Sequence, residues 1–73
     1  MNLRSDTIQA QFGNKIRQLR EKRDVSQEEL AHIAGLNRTY TSDLERGKRN
    51  PTLQNINNLA NALNVSLKEL FDL

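Results

Sequence analysis

Side chains that could contact nucleic-acid bases are concentrated in the segment GLNRTYTSDLERG, which spans residues 35–47. The spacing of these side chains places them on one face of a helix, at Arg38, Thr39, Ser42, Asp43 and Arg46. Arginine can hold guanine with two hydrogen bonds, serine and threonine can bond several bases, and aspartate can accept from cytosine. Because the only plainly apolar residue of this helix is Leu44, we expect its outer face to contact a partner, and the residue types suit the major groove of DNA.

The basic residues are unevenly distributed, although the net charge of the chain is only +2. One cluster lies between residues 15 and 23, where Glu21 is the only acidic residue, and it consists of Lys15, Arg17, Arg20, Lys22 and Arg23. A second cluster, Arg46, Lys48 and Arg49, follows the predicted contact helix. Charge runs often form solvated surface, so this pattern is compatible with a nucleic-acid partner and does not by itself require one.

The elements that must position these residues are helices. Ile8, Phe12, Ile16 and Leu19 recur at intervals of three and four, which predicts a first helix from near Asp6 to Arg23. The sequence Ser-Gln-Glu-Glu at residues 26–29 has the form of a capping box and predicts the start of a second helix. We expect its buried side to consist of Leu30, Ala31, Ile33 and Ala34.

Turn and capping residues mark the ends of the contact helix and of the two helices that follow it. Gly35 is free to take the left-handed conformation that ends the second helix, and Asn37 is a suitable N-cap for the third, which we expect to end at Gly47. A fourth helix opens at Pro51 or Thr52 and ends near Asn64. Its predicted inward residues are Leu53, Ile56, Leu59, Ala60 and Leu63. Residues 66–69 form a second predicted capping box, which opens a short fifth helix.

Two short helices joined by a turn that contains glycine form the outline of a helix-turn-helix motif, here at about residues 27–46. No period-2 strand pattern occurs, so the sequence predicts an all-α domain of five helices covering residues 1–73. In this arrangement Ala31 lies where the second and third helices cross, and Leu36 and Leu44 fill the gap between them.

The segment SQEELAHIAGLNRTYTSDLERGKRNPT resembles the lambda-repressor-like, XRE-type helix-turn-helix family of bacterial and phage transcription regulators. The resemblance extends from Phe12 to Phe71. Within that family, the shorter string NRTYTSDLERGKRNPT looks most like the controller proteins of restriction–modification systems. The resemblance implies a homodimer that binds inverted-repeat operators in double-stranded DNA and controls transcription, with RNA polymerase as a candidate second partner.

The same resemblance implies roles for individual positions. Arg20 and Glu45 would form a structural ion pair between the first and third helices. The residues implied to hold the DNA backbone are Gln27, Asn37, Tyr40, Lys48, Arg49 and Thr52. The dimer contact would lie at about residues 58–73 and include Val65, Leu67, Leu70, Phe71 and Leu73. Thr41 departs from the family pattern, which usually has a larger apolar residue there, and its hydroxyl could bond a carbonyl one turn back.

Several positions have two readings. Asp43 either recognises or excludes a base, or it pairs with Arg46. Arg20 could be a phosphate ligand instead of half of an ion pair, and Tyr40 could pack on the scaffold instead of contacting DNA. The apolar C-terminal residues could belong to the monomer core, to a dimer surface, or to both.

Composition argues against other classes of function. The chain has no cysteine and a single histidine, His32, so we expect no metal site. It shows no phosphate-binding glycine loop and no nucleophile–base arrangement, so we expect neither an enzyme nor a cofactor. No signal peptide or membrane span is evident, which favours the cytoplasm. Because no sensor segment or small-molecule site is evident, the predicted input is the protein's own concentration. An antitoxin-like protein-interaction module with the same fold is the alternative.

Overall fold

The computed structural model describes residues 7–73, which form five α-helices. Their bounds are Ile8–Lys22 (α1), Gln27–Ala34 (α2), Arg38–Glu45 (α3), Leu53–Leu63 (α4) and Leu67–Leu70 (α5). The predicted all-α architecture is therefore confirmed. The start expected for the first helix, near Asp6, lies outside the described residues, and α1 begins at Ile8 behind the N-cap Thr7.

Local capping explains where these helices begin and end. The Ser26 hydroxyl accepts from the Glu29 amide at 3.0 Å and the Glu29 carboxylate accepts from the Ser26 amide at 3.3 Å, which completes the predicted capping box. At the start of α5 the Ser66 hydroxyl accepts from the Glu69 amide at 3.0 Å, so that cap has the hydroxyl half of the predicted box. Gly35 and Asn64 end α2 and α4 in the left-handed region, with φ of 74° and 57°.

The buried core draws on all five helices, but unequally. It consists of Phe12, Ile16, Leu19, Leu30, Ala34, Leu44, Ile56, Leu59, Ala60, Leu63 and Leu70. α3 contributes Leu44 alone to this apolar cluster, as the sequence predicts. The position of α3 therefore depends strongly on its caps, on its polar contacts and on its close packing against α1 and α2.

Two residues that were predicted to face inward, Ile33 and Leu53, are exposed, and so is Ile8 of the apolar repeat that predicted the first helix. Ile33 is 60% exposed because the buried side of α2 is centred on Leu30, Ala31 and Ala34. At about 100° per residue, Ile33 points roughly 100° away from that centre. Leu53 is 83% exposed and Ile8 is 58% exposed. Each is the first residue of its helix.

Gly13 allows α1 to pack directly against the C-terminal end of α3. A Cβ built at this position would overlap the Leu44 carbonyl oxygen and lie 2.8 Å from the Glu45 carbonyl oxygen. Both obstacles are backbone atoms, which cannot rotate away as a side chain can. The absence of a side chain at Gly13 therefore sets the distance between α1 and α3.

Candidate nucleic-acid interface

α3 has one buried face and one exposed face. Thr41, Leu44 and Glu45 form the buried face. The predicted base-contact residues lie on the other side of the helix or beside it, and they differ in exposure. Arg38, Thr39 and Arg46 are exposed, whereas Ser42 and Asp43 are half-buried. Arg46 follows the last residue of α3 as its C-cap, so it extends the exposed face beyond the helix.

Two buried residues of α3 are polar, and the apolar pattern of the sequence did not reveal them as core. Thr41 is completely buried, and its hydroxyl donates to the Asn37 carbonyl oxygen at 3.1 Å, so the bond predicted one turn back is present. Glu45 is 8% exposed. Thr41 lies three residues before Leu44 and four before Glu45, and this helical spacing is the signal that could have identified the shared face.

The turn between α2 and α3 determines the direction in which α3 leaves the core. The Leu36 amide donates to the Ala31 carbonyl oxygen at 2.8 Å, and Leu36 packs against the core. The Asn37 side-chain oxygen then accepts from the Tyr40 amide at 2.7 Å and caps α3. This bond uses the oxygen of Asn37, so its NH₂ group is the part that could donate to a DNA phosphate.

The ion pair expected between Arg20 and Glu45 is present and joins α1 to the end of α3. Arg20 Nε lies 2.6 Å from Glu45 Oε2, and Arg20 Nη2 lies 3.1 Å from Oε1. Arg20 Nη1 also donates to the Val25 carbonyl oxygen at 3.0 Å. The hydrogen bond to Glu45 raises the pKa of the Arg20 guanidinium above its ordinary value, against the opposing effect of burial. These contacts give Arg20 a structural role between α1 and α3.

Gln27 also belongs to this buried network, which the sequence did not predict. Its Nε2 atom donates to Glu45 Oε1 at 2.9 Å, so the Glu45 carboxylate links the first residue of α2 to α1 and α3. The sequence assigned Gln27 only to a DNA phosphate. A glutamine NH₂ group has two donors, so one can hold Glu45 while the other reaches outward.

Asp43 pairs with two arginines on the exposed side of α3. Arg46 Nη2 lies 2.6 Å from Asp43 Oδ1, and Arg49 Nη2 lies 3.4 Å from Oδ2. The hydrogen bond from Arg46 lowers the pKa of the Asp43 carboxyl below its ordinary value. Of the two readings of Asp43 left open by the sequence, pairing with Arg46 is the arrangement in this structure.

Tyr40 connects the loop after α3 to α4. The Arg49 guanidinium lies over the Tyr40 ring, 5.1 Å from its centroid. On the other side, Asn55 Nδ2 donates to the Tyr40 hydroxyl oxygen at 3.3 Å. Tyr40 thus packs on the scaffold while staying partly exposed, and Asn55 is a supporting residue that the sequence analysis did not identify.

The edge of the exposed face carries the remaining predicted backbone contacts. Lys48 is exposed, and its amide donates to the Asp43 carbonyl oxygen at 2.9 Å, which ties the loop to α3. Thr52 is the N-cap of α4, and its hydroxyl oxygen accepts from the Asn55 amide at 3.1 Å. The N-terminus of a helix carries partial positive charge, which suits a phosphate.

The apolar C-terminal residues divide between the monomer core and the surface. Leu70 is completely buried in the single chain, so its assignment to the dimer contact is wrong: no side-chain surface remains for a second copy. Leu67, Phe71 and Leu73 are between 45% and 47% exposed. Phe71 stacks on Phe12 with ring centroids 5.4 Å apart, so one of its faces is covered. Val65 is half-buried against the core.

Two structural features of residues 7–73 bear on other kinds of site. Within this range, no group of three or more histidine, cysteine or carboxylate side chains is placed to hold a metal ion. None of the helices described here has both the length and the apolar character needed to span a membrane.

Known proteins are similar to this chain in both sequence and fold. A helix-turn-helix family model matches residues 16–70. Control protein C.BamHI of Bacillus amyloliquefaciens is 48% identical over 69 residues, which cover 93% of this chain and 85% of that protein. The restriction–modification controller protein C.AhdI of Aeromonas hydrophila superposes with a TM-score of 0.83 at 47% identity, covering 85% of this chain and 94% of its own.

A third comparison includes DNA. The structure of C.Esp1396I bound to a 25-base-pair operator site matches with a TM-score of 0.83 at 30% identity. The match covers 92% of this chain and 88% of C.Esp1396I. Because the chain has the α2–turn–α3 geometry of a helix-turn-helix and matches these relatives, it belongs to the XRE-type helix-turn-helix family. It is similar to the controller proteins of restriction–modification systems.

Proposed function

We propose that this protein is a sequence-specific transcription regulator that binds operator DNA as a homodimer, in the manner of a restriction–modification controller. α3 is the recognition helix and enters the major groove. Arg38, Thr39 and Arg46 contact base edges, and Ser42 borders them. The structural basis for this proposal is the exposed polar face of α3, which is held in place by a buried face of only three residues.

The groups around α3 suit the phosphates on either side of a groove. Lys48 and Arg49 supply positive charge beside the end of α3, and the start of α4 at Thr52 supplies a helix N-terminus. Asn37 and Gln27 add amide donors near the starts of α3 and α2. Contacts of this kind fix the register of a protein on DNA, whereas base contacts provide specificity.

The proposed dimer uses the apolar surface left at the C-terminal end of the chain. Leu67, Phe71 and Leu73 expose nearly half of their surface, and neighbouring exposed apolar residues often mark contact sites. A two-fold dimer would place two copies of α3 about one helical turn of DNA apart, roughly 34 Å, on an inverted repeat.

Regulation would follow from concentration, since dimer formation and paired operators make the response to protein concentration steep. The protein would act in the cytoplasm, where bacterial DNA lies. RNA polymerase remains a predicted partner for the case in which the bound dimer activates transcription.

Binding measurements at several salt concentrations test the proposal. The ligand is the duplex that the purified protein selects from a pool of random sequences, and a shuffled duplex serves as the reference. Affinity for the selected duplex should fall steeply with salt, with a log–log slope of about 0.9 for each phosphate neutralised. Lys48→Ala should flatten the slope and leave the sequence preference unchanged. Lys68→Ala, which removes another exposed lysine, on α5, should leave both unchanged. Failure to select any sequence, or a slope near zero, would contradict the proposal.

A further inference from the structure

Asp43 is the one acidic side chain among the five residues that the sequence predicted to contact bases. A carboxylate near DNA phosphates weakens binding by repulsion, so its presence needs a compensating role. The structure offers one in the two arginines that meet at this side chain. Arg46 binds Oδ1 at 2.6 Å and Arg49 binds Oδ2 at 3.4 Å, so each carboxylate oxygen has its own guanidinium.

The backbone of Asp43 holds the same loop as its side chain. The Asp43 carbonyl oxygen accepts from the Lys48 amide at 2.9 Å and from the Arg46 amide at 3.2 Å. The Tyr40 ring is a second contact that orients Arg49, and its centroid lies 5.1 Å from the guanidinium carbon of Arg49. Tyr40 in turn accepts a hydrogen bond from Asn55 of α4. Arg46 is thus held at α3 by Asp43, and Arg49 contacts both Asp43 and Tyr40, which connects it to α4.

Both arginines remain available for DNA while they are held. Their side chains are 58% and 46% exposed, whereas that of Asp43 is 21% exposed. A guanidinium has five N–H donors, and the contact with Asp43 uses one from each arginine. Asp43 is therefore too covered to be the main contact surface, while the arginines that it orients stand out on either side of it.

We propose that Asp43 is a positioning residue that determines specificity through Arg46 and Arg49, without contacting a base itself. Its carboxylate holds Arg46 in the orientation that recognises a base and directs Arg49 to the neighbouring phosphate. An arginine that is oriented before binding loses less side-chain freedom in forming its hydrogen bonds. This inference rests on the proposed function, since it assigns a role within the same DNA-binding face.

The test measures affinity for the selected duplex, for its single-base variants and for the shuffled duplex. Asp43→Asn keeps the size of the side chain and removes its charge, and Asp43→Ala removes the contact. Both variants should bind the shuffled duplex more tightly. Their specificity, measured as the ratio of the affinities for the selected and the shuffled duplex, should fall, and for Asp43→Ala it should fall by about tenfold. The loss should fall at the base position where Arg46→Ala also loses discrimination. The two substitutions should be non-additive in the double variant, as expected for residues that act as one unit. Asp43→Glu should restore part of the discrimination.

Glu28→Gln is the matched control, because Glu28 is an exposed carboxylate on the adjoining α2 and shares an open surface cleft with Arg38. It should shift the affinity for both duplexes equally. Equal tightening on all sequences by Asp43→Ala would show that Asp43 only repels DNA. Loss of discrimination at a cytosine unrelated to Arg46 would show that Asp43 contacts a base directly. Either result overturns the inference, whereas a wild-type protein without sequence preference overturns the proposed function itself. Circular dichroism verifies that each variant is folded.

Discussion

Removal of the Glu45 carboxylate should strongly destabilise the protein. In the Glu45→Ala variant, Arg20 would keep its charge in a place where its side chain is only 13% exposed. Gln27 would also lose its acceptor. Loss of one partner from a buried ion pair costs about 3–5 kcal/mol. Arg20 retains the Val25 carbonyl oxygen and some contact with water, so we expect about 3 kcal/mol, the lower end of this range.

A loss of this size is large for a chain of 73 residues. At about 0.05–0.15 kcal/mol per residue, its total stability is roughly 4–11 kcal/mol. In a domain of this length, 1 kcal/mol shifts the melting temperature by about 4–8 °C, so Glu45→Ala should lower it by roughly 12–24 °C. α3 loses its tie to α1 and α2 at the same time, so DNA affinity should fall even where the variant is still folded.

Thermal melts followed by circular dichroism provide the measurement, at one fixed protein concentration because the proposed dimer would also stabilise the fold. Glu45→Gln is the isosteric comparison and should lose less than Glu45→Ala. The double variant Arg20→Met, Glu45→Leu removes both charges, and it should recover much of the stability lost in Glu45→Ala. A melting temperature for Glu45→Ala within about 3 °C of the wild type is a smaller shift than a loss of 1 kcal/mol would cause. Such a result would refute the structural role assigned to this network.

Three further predictions concern separate parts of the molecule. Gly13→Ala should destabilise the fold by about 1–3 kcal/mol or more, because its Cβ overlaps backbone atoms of α3. Chemical denaturation measures this loss, and Asn14→Ala, at the neighbouring exposed residue, should have little effect. Equal stability of the two variants would contradict the close packing. Arg38→Ala should lose about 1–3 kcal/mol of discrimination at one base position in each half-site without change in helicity; uniform weakening on all sequences would show a phosphate contact only. Phe71→Glu should weaken the dimer in sedimentation and reduce affinity for a paired site far more than for a half-site; a wild-type protein that stays monomeric at high micromolar concentration would contradict the dimer surface.

The predictions that held depend on local chemistry. The Ser26 cap, the left-handed Gly35 and the Thr41 back-bond each involve residues within one turn of each other, where residue type and spacing determine the outcome. The single apolar anchor of α3, Leu44, was also evident from sequence, because every other residue of that helix is polar or aromatic. The start of α2 and its end at the turn were therefore predictable.

The predictions that failed depend on how the helices pack against one another. Periodicity identified the apolar side of α4 but did not show that its first residue lies outside the packed core, so Leu53 was placed inside. Similarly, an apolar fifth helix does not reveal which of its residues contact α1 and α4, so Leu70 was placed on the surface. Gln27 and Asp43 each had several possible partners in the sequence, and only the three-dimensional arrangement selects Glu45 for one and two arginines for the other.

A hydroxyl-radical footprint of the purified protein on the DNA upstream of its own gene tests the central claim most directly. The account predicts two protected regions on one face of the duplex, related by an inverted repeat and about one helical turn, roughly 34 Å, apart. Absence of a discrete footprint, at protein concentrations where the dimer is the main species, would contradict the assignment of α3 as a DNA recognition helix.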